Sequence, residues 1–348
     1  MSRPKPIKRI IFLAFVVLIG AAGYWAYMNL YKSNVNLEGK NYKFVYIPTN
    51  ANYDELLSAL YDENAIENHE TFEWMAKKMD LDLNIHPGRY KISDGMNNRQ
   101  IILMLKKNKQ EKVKLTFNSQ IHNLEELIEY LDNKLELNSD VLEEYLADDS
   151  LLQKKYKLDP DNIFSLFLPT VYEVSWVITK EDLFEQGKEY FDSVWNKERI
   201  TKAKKIGYDI PKVMILASIV QSESGIIDEQ EKIAGVYINR LKKDMPLQAD
   251  PTLKFANKNF DVQRVTNADK EIDSPYNTYK NKGLPPGPIC LVYTSSIDAV
   301  LNYEAHNFIF FCAKPDFSGF SVFSATYDQH LKHAQAYQDA LDKKGIKR

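Results

Sequence analysis

Ile10–Leu30 is a run of 21 residues without a charge, and no other stretch constrains the chain as tightly. A helix of that length reaches about 30 Å, the thickness of a bilayer's hydrocarbon core. Arg3, Lys5, Lys8 and Arg9 precede it, and Tyr24, Trp25 and Tyr27 gather toward its far end. Cationic flanks stay in the cytoplasm, and aromatic side chains favour the membrane interface. The sequence therefore predicts a cytoplasmic tail over 1–9, one transmembrane helix over 10–30, and export of the remainder. Ala21-Ala22-Gly23 offers a competing reading, a cleaved signal peptide. Continuation of the apolar run through Trp25, Ala26 and Met28 favours the uncleaved anchor. No cysteine lies nearby, which excludes a lipid-modified one.

With 348 residues, the chain has room for two or three compact units. Only 13 glycines stand against 21 tyrosines and 17 phenylalanines, a composition of ordered globular structure. A formal charge of −3 argues against a general nucleic-acid binder, which should be strongly basic. Cys290 and Cys312 do not make a disulfide framework even in an oxidising compartment, and two buried free thiols are expected. The six histidines lack metal-ligand spacing, and His330 and His333 are expected on a surface helix. No metal or cofactor is predicted.

Ser33–Lys40, within a linker over 31–41, reads as a polar spacer. Tyr42–Ile47 reads as a strand, Asn52–Asn64 and Thr71–Met79 as helices, Arg89–Ile92 as a second strand after the Pro87-Gly88 turn, and Asn97–Lys107 as a third helix. Together they make a small β-α-α-β-α domain over 42–110. A larger domain over 111–348 opens with a strand at Lys112–Phe117. Helical patterns follow at Asn123–Leu135, Ser139–Ala147 and Leu183–Lys205. Helices with short strands make the predicted fold class α+β.

Pro211–Asp250 carries the chemistry. Pro211 suits a first helical position, and Gly225 suits a left-handed residue just past a helix end. Between them Leu216, Val220 and Glu223 share one face, so an acid lies on the inward, apolar side. Desolvation and the negative end of the helix dipole should both raise its pKa, as a general acid requires. A helical Glu is equally at home as a solvated surface residue. Asp228 with Glu231 fits a capping box for a second helix, whose apolar stripe is Ile233, Val236, Tyr237 and Leu241. The loop Leu247–Thr252 returns polar groups toward the same end.

Five ordered blocks across about seventy residues resemble the endolytic murein transglycosylases of the MltG/YceG-like family. They are Ala217–Glu223, Ile238–Leu241, Leu247–Thr252, Tyr276–Tyr279 and Leu284–Ile289. A weaker similarity continues to Phe323–His330. The chain departs from the family pattern at Gln221, where most members have a second Glu. It departs again at Thr116–Gln120, and at Phe167–Val174, where an Asp is replaced. The unit over 42–110, notably Pro87–Met96, resembles the family's LysM-like domain, which implies glycan affinity; a plain spacer from the membrane is the other reading.

The resemblance implies cleavage of the MurNAc–GlcNAc bond inside nascent glycan strands, leaving 1,6-anhydro-MurNAc ends. It implies Glu223 as acid and then base, a site in the periplasm at the inner membrane, and contact with a peptidoglycan synthase. Gln248, Asp250 and Thr252 can hydrogen-bond sugar groups, although Asp250 before Pro251 is equally a turn or cap residue. Tyr276, Asn277 and Tyr279 can line a glycan cleft, or be tyrosines buried for packing. Pro285, Pro286 and Pro288 read as a rigid wall. Two other functions remain open: a muramidase-type hydrolase using Asp250 or Asp228 as second carboxylate, and a non-enzymatic scaffold that binds peptidoglycan.

Overall fold

A computed structural model describes residues 6–260, 262 and 265–344. The chain divides into two units, 1–114 with 134–136 and 173–178, and 115–133 with 137–172 and 179–348.

The first unit begins with α1 (Pro6–Tyr31). Arg9–Met28 within it, mean hydropathy 2.1, is long and apolar enough to cross a membrane and has no fully buried residue, although Trp25 near its end meets the edge of Trp74 with ring centroids 4.9 Å apart. Strands β1 (Tyr42–Ile47) and β2 (Gly88–Ser93) pair antiparallel, Tyr42 opposite Ser93 and Ile47 opposite Gly88. Strand alternation turns Val45, Ile47, Tyr90 and Ile92 inward. Helices α2 (Tyr53–Asp62), α3 (His69–Lys78) and α4 (Asn98–Lys106) cover them with Leu56, Leu60, Phe72, Met75, Ile101 and Leu105. Asn52, Asn68 and Asn97 each cap their helix by accepting from the third backbone amide on. Residues 33–40 are no free spacer, because Val35 and Leu37 sit in this core. Asn34 explains the docking: its amide donates to Asn98 Oδ1 at 2.7 Å and its own oxygen accepts from the Asn68 amide.

Strand β3 (Val113–Thr116) pairs with β4 (Val171–Val174). Between them run α5 (Leu124–Asp132), α6 (Ser139–Leu146) and α7 (Asp149–Lys155). The single helical pattern expected at Leu183–Lys205 is two helices, α8 (Lys180–Val194) and α9 (Lys197–Ile206). Asn196 makes the break, starting α9 by accepting from the Arg199 amide.

The centre of the second unit is α10 (Ile210–Glu223), in which Val213–Val220 are all buried. A helix apolar on every side must be enclosed, and α9, α11 (Ile227–Lys242), α12 (Asp250–Ala256) and α13 (Thr294–Leu301) pack around it. Gly235 lets α11 approach the following chain: a Cβ there would lie 2.4 Å from the Glu304 carbonyl oxygen and 2.6 Å from His306 Nε2. A hairpin not expected from the sequence, β5 (Phe310–Ala313) with β6 (Ser321–Ser324), pairs Phe311 with Phe323. The last helix, α14 (Tyr327–Lys343), packs on this hairpin. The molecule is α+β, with one apolar helix at its N-terminus.

Candidate active site

How α10 ends determines where Glu223 sits. Asp209 caps the start of the helix through the Lys212 amide, and Pro211 occupies its first turn. At the far end Ser224 is extended, φ −143° and ψ 129°, so Glu223 is the last helical residue. Gly225 does not adopt the expected left-handed conformation. Side chains hold the turn instead. Ser224 Oγ accepts from the Ile226 amide and donates to Glu229 Oε2, and the Gln230 amide donates to the Ser224 carbonyl at 2.8 Å. The expected capping box is absent for the same reason: α11 starts at Ile227 without a side-chain cap, and Asp228 and Glu231 are exposed. Gln221, at the position where most relatives were expected to carry an acid, clamps the helix end. It donates to the Leu291 carbonyl and accepts from the Tyr293 amide.

Glu223 opens onto a cleft of about 300 Å³ lined also by Tyr237, Arg240, Leu247, Gln248, Asp250, Tyr279, Phe310, Phe311, Tyr327 and His330. Buried Tyr237 donates a 2.6 Å hydrogen bond to Glu223 Oε1. Burial pushes the Glu223 carboxyl up to about 7; the Tyr237 bond opposes that rise, and the charge of Asp250 adds to it. A larger hollow of about 650 Å³ beside Lys40, Lys43 and His69 has no such acid–phenol pair.

Of the residues expected at the site, the structure brings Gln248, Asp250 and Tyr279 to this cleft with Glu223. Asp250 opens α12 and accepts from the Tyr279 phenol at 2.5 Å. Burial first, and Asp250 next, push that phenol's pKa up. Gln248 holds a left-handed backbone, φ 51°, pinned by its amide's bond to the Thr278 carbonyl. Its side-chain oxygen accepts from Arg240 Nη1.

Thr252, Tyr276 and Asn277 are not cleft-lining residues. Thr252 is fully buried, its hydroxyl 2.7 Å from the Ala249 carbonyl and 2.8 Å from Thr278 Oγ1. Asn277 donates to the Lys270 and Ile272 carbonyls and accepts from the Tyr279 amide, so it shapes the turn beneath Tyr279. Tyr276 lines a second hollow of about 310 Å³ with Phe255, Asp161 and Pro288. Of the three prolines, Pro288 therefore walls that second hollow, and none lines the cleft of Glu223.

Sequence reasoning missed Tyr237, Arg240, Phe310, Phe311, Tyr327 and His330. Tyr237 had a visible signal, a phenol three residues before an arginine on an otherwise apolar stripe. His330 lies on a helix as expected, yet faces the cleft and stacks on Phe310 with ring centroids 5.2 Å apart. His333 points to Ser324 Oγ at 2.9 Å. Cys290 is buried and Cys312 partly so, and both are free thiols. Among the described residues no three His, Cys, Asp or Glu side chains are grouped to hold a metal.

An α+β protein with an acid–phenol pair in an open aromatic cleft is the class that fold and site define. Residues 45–336 match the YceG-like family, and the chain belongs to it. It is 41% identical over 145 residues to an endolytic murein transglycosylase of Bacillus subtilis, covering 41% of this chain and 39% of that protein. It is 25% identical over 333 residues to an endolytic murein transglycosylase of Streptococcus pneumoniae, covering 87% of this chain and 60% of that one. The chain thus spans less than two thirds of these relatives' lengths. A crystal structure of a YceG-like protein from Listeria monocytogenes matches with a TM-score of 0.55 at 28% identity, covering 84% of this chain and 99% of that one.

Proposed function

We propose that this chain is a membrane-anchored lytic transglycosylase that cuts the MurNAc–GlcNAc bond within murein glycan strands. The observation that carries the reading is the Tyr237–Glu223 pair in the cleft. A carboxyl with a pKa of about 7 is partly protonated at neutral pH and can give its proton to a leaving oxygen. Relatives named endolytic murein transglycosylases support the substrate class.

In the first step Glu223 protonates the glycosidic oxygen as the C1–O bond breaks with oxocarbenium character. In the second, the C6 hydroxyl of the same sugar closes on C1 and its proton returns to the Glu223 carboxylate. The product is a 1,6-anhydro end, no water is consumed, and the acid is restored. The attacker belongs to the substrate, so proximity replaces an ordered water. Tyr237 orients the carboxyl and stabilises it while it is ionised. Gln248, Asp250 and Tyr279 contact the sugar. Thr252 and Asn277 act behind them by fixing the loops, and Tyr276 offers a ring to a more distant sugar.

Arg9–Met28 spans the cytoplasmic membrane with the tail inside and residues after it outside, facing new murein. Residues 42–110 form the LysM-like module and add glycan affinity. A peptidoglycan synthase is the protein partner that the family resemblance implies.

Asp250, sharing the cleft, supports a second reading as a hydrolase, with Asp250 as base for water. Exposed Asp228 does not line the cleft. Product masses from isolated glycan strands separate the readings: anhydro ends support the transglycosylase, reducing MurNAc ends the hydrolase. Cleavage undiminished in Glu223→Gln would remove Glu223 as the acid, and binding without any cleavage by the wild type would leave only a scaffold.

A further inference from the structure

Among the described residues Arg240 is the one buried cation, and every hydrogen bond it makes goes to a neutral oxygen. Its Nε donates to the Ile309 carbonyl at 2.7 Å. Nη1 serves the Pro246 and Leu247 carbonyls and the Gln248 side chain. Nη2 makes no bond to any described residue. Removing a guanidinium from water is costly unless an anion meets it, and burial lowers the pKa of Arg240. A clamp for loop and strand accounts for Nε and Nη1. It does not account for an unspent donor on a side chain that lines the cleft.

Phe310 gathers a second polar side chain beside the first. The Arg240 guanidinium lies 5.2 Å from its ring centroid, and His330 stacks on the same ring. His330 Nδ1 is buried without a partner. The cleft therefore combines two chemistries, the acids Glu223 and Asp250 and the cation Arg240 beside the imidazole of His330.

We infer that Arg240 Nη2 takes an oxygen of the 3-O-lactyl arm of muramic acid and so selects murein over glycans built only from N-acetylglucosamine. The inference rests on the transglycosylase reading above. In muramic acid the reacting C1 and the lactyl-bearing C3 belong to one ring, so one sugar presents its scissile bond to Glu223 and its arm to Arg240. A charge-assisted guanidinium–carboxylate bond is among the strong ones. A site built to bond a group rejects the analogue without it, because its own donor is then left unpaired. The arm ends in a free carboxylate on peptide-free strands and in an amide carbonyl where a stem peptide is attached. Both supply the acceptor oxygen.

Calorimetry on the full-length Glu223→Gln protein in detergent micelles tests this. The ligands are a peptide-free MurNAc–GlcNAc oligosaccharide, its lactyl amide, the same oligosaccharide with the carboxyl reduced to an alcohol, and a chitooligosaccharide of equal length. The lactyl carboxylate should bind about tenfold more tightly than the chitooligosaccharide, with the amide between them and the alcohol close to chitin. Adding Arg240→Lys or Arg240→Gln should bring the ratio to within about twofold, whatever change the two variants make to the affinity shared by all four ligands. Equal affinity for all four ligands, or a preference that survives the Arg240 substitutions, overturns the inference and leaves the transglycosylase reading standing. Failure of every glycan to bind overturns both. Should the Arg240 variants not fold, the ligand series on the Arg240-intact protein decides alone, since reducing the carboxyl must then abolish the preference.

Discussion

Tyr237, in the middle of α11, donates to Glu223, the last residue of α10, so the acid is held by the helix that follows it and not by its own. Burial drives that carboxyl toward its neutral form and the phenol draws it toward the charged one. The balance between them sets when the acid is loaded.

Tyr237→Phe should move that balance upward. A hydrogen bond to a charged group is worth about 1.5–3 kcal/mol, which corresponds to about one to two pKa units. Glu223 works as an acid below its pKa, so the basic limb of the pH profile of kcat/KM should shift to higher pH. An unmoved limb contradicts the assignment.

Asp250→Asn should do the opposite. The Asp250 charge helps to hold the Glu223 pKa up, so its loss lets the carboxyl ionise earlier. The basic limb should shift to lower pH in the same assay. Two neighbours of one acid thus give shifts of opposite sign.

Glu223→Gln should reduce cleavage by about 10²- to 10⁴-fold, the range supplied by general acid–base catalysis. It should also stabilise the protein at high pH, with the Tyr237 donor still met by an oxygen. The folded state holds this proton more tightly, since its carboxyl stands at about 7 against an ordinary 4.5. Below pH 4.5 both states are protonated and the acid costs nothing. Between 4.5 and 7 stability falls as pH rises, and above 7 the whole cost is present. That cost is about 3 kcal/mol for a fully enclosed group and about 2 kcal/mol with the edge that remains open. The variant should melt above the wild type at about pH 8 and level with it at about pH 4. An equal offset at both values would refute the raised pKa.

Gly235→Ala should destabilise the second unit by about 1–3 kcal/mol, outweighing alanine's helix preference of about 1 kcal/mol. The new methyl would collide with the Glu304 carbonyl and His306. Asn239 bonds the His306 and Phe308 carbonyls, so the displacement should reach the hairpin behind Phe310. A lower melting temperature together with reduced cleavage is the expected result.

Local pattern made much of the fold legible. The helical stretches Asn52–Asn64 and Asn97–Lys107, the latter with apolar spacing at Ile101, Ile102 and Leu105, match their elements within a residue or two. The hairpin Phe310–Ser324 escaped because its strands are half-buried on both faces and show no alternation. Within the site, spacing revealed which face Glu223 takes but not its partner. A periodic reading counts Tyr237 as apolar and is silent about its hydroxyl. Thr252 and Asn277 read in sequence as polar groups available to a sugar, whereas their side chains satisfy backbone groups inside two turns. Arg240, Phe310 and His330 lie far apart along the chain, and only packing brings them to one ring.

The left-handed backbone at Gln248 limits how this cleft can change. Glycine and asparagine tolerate such a conformation, while valine, isoleucine and threonine strain against it. In a saturation library at that codon, survivors should be few and small or amide-bearing. New specificities would then have to arise from the neighbouring aromatic rim, whose backbone carries no such restriction.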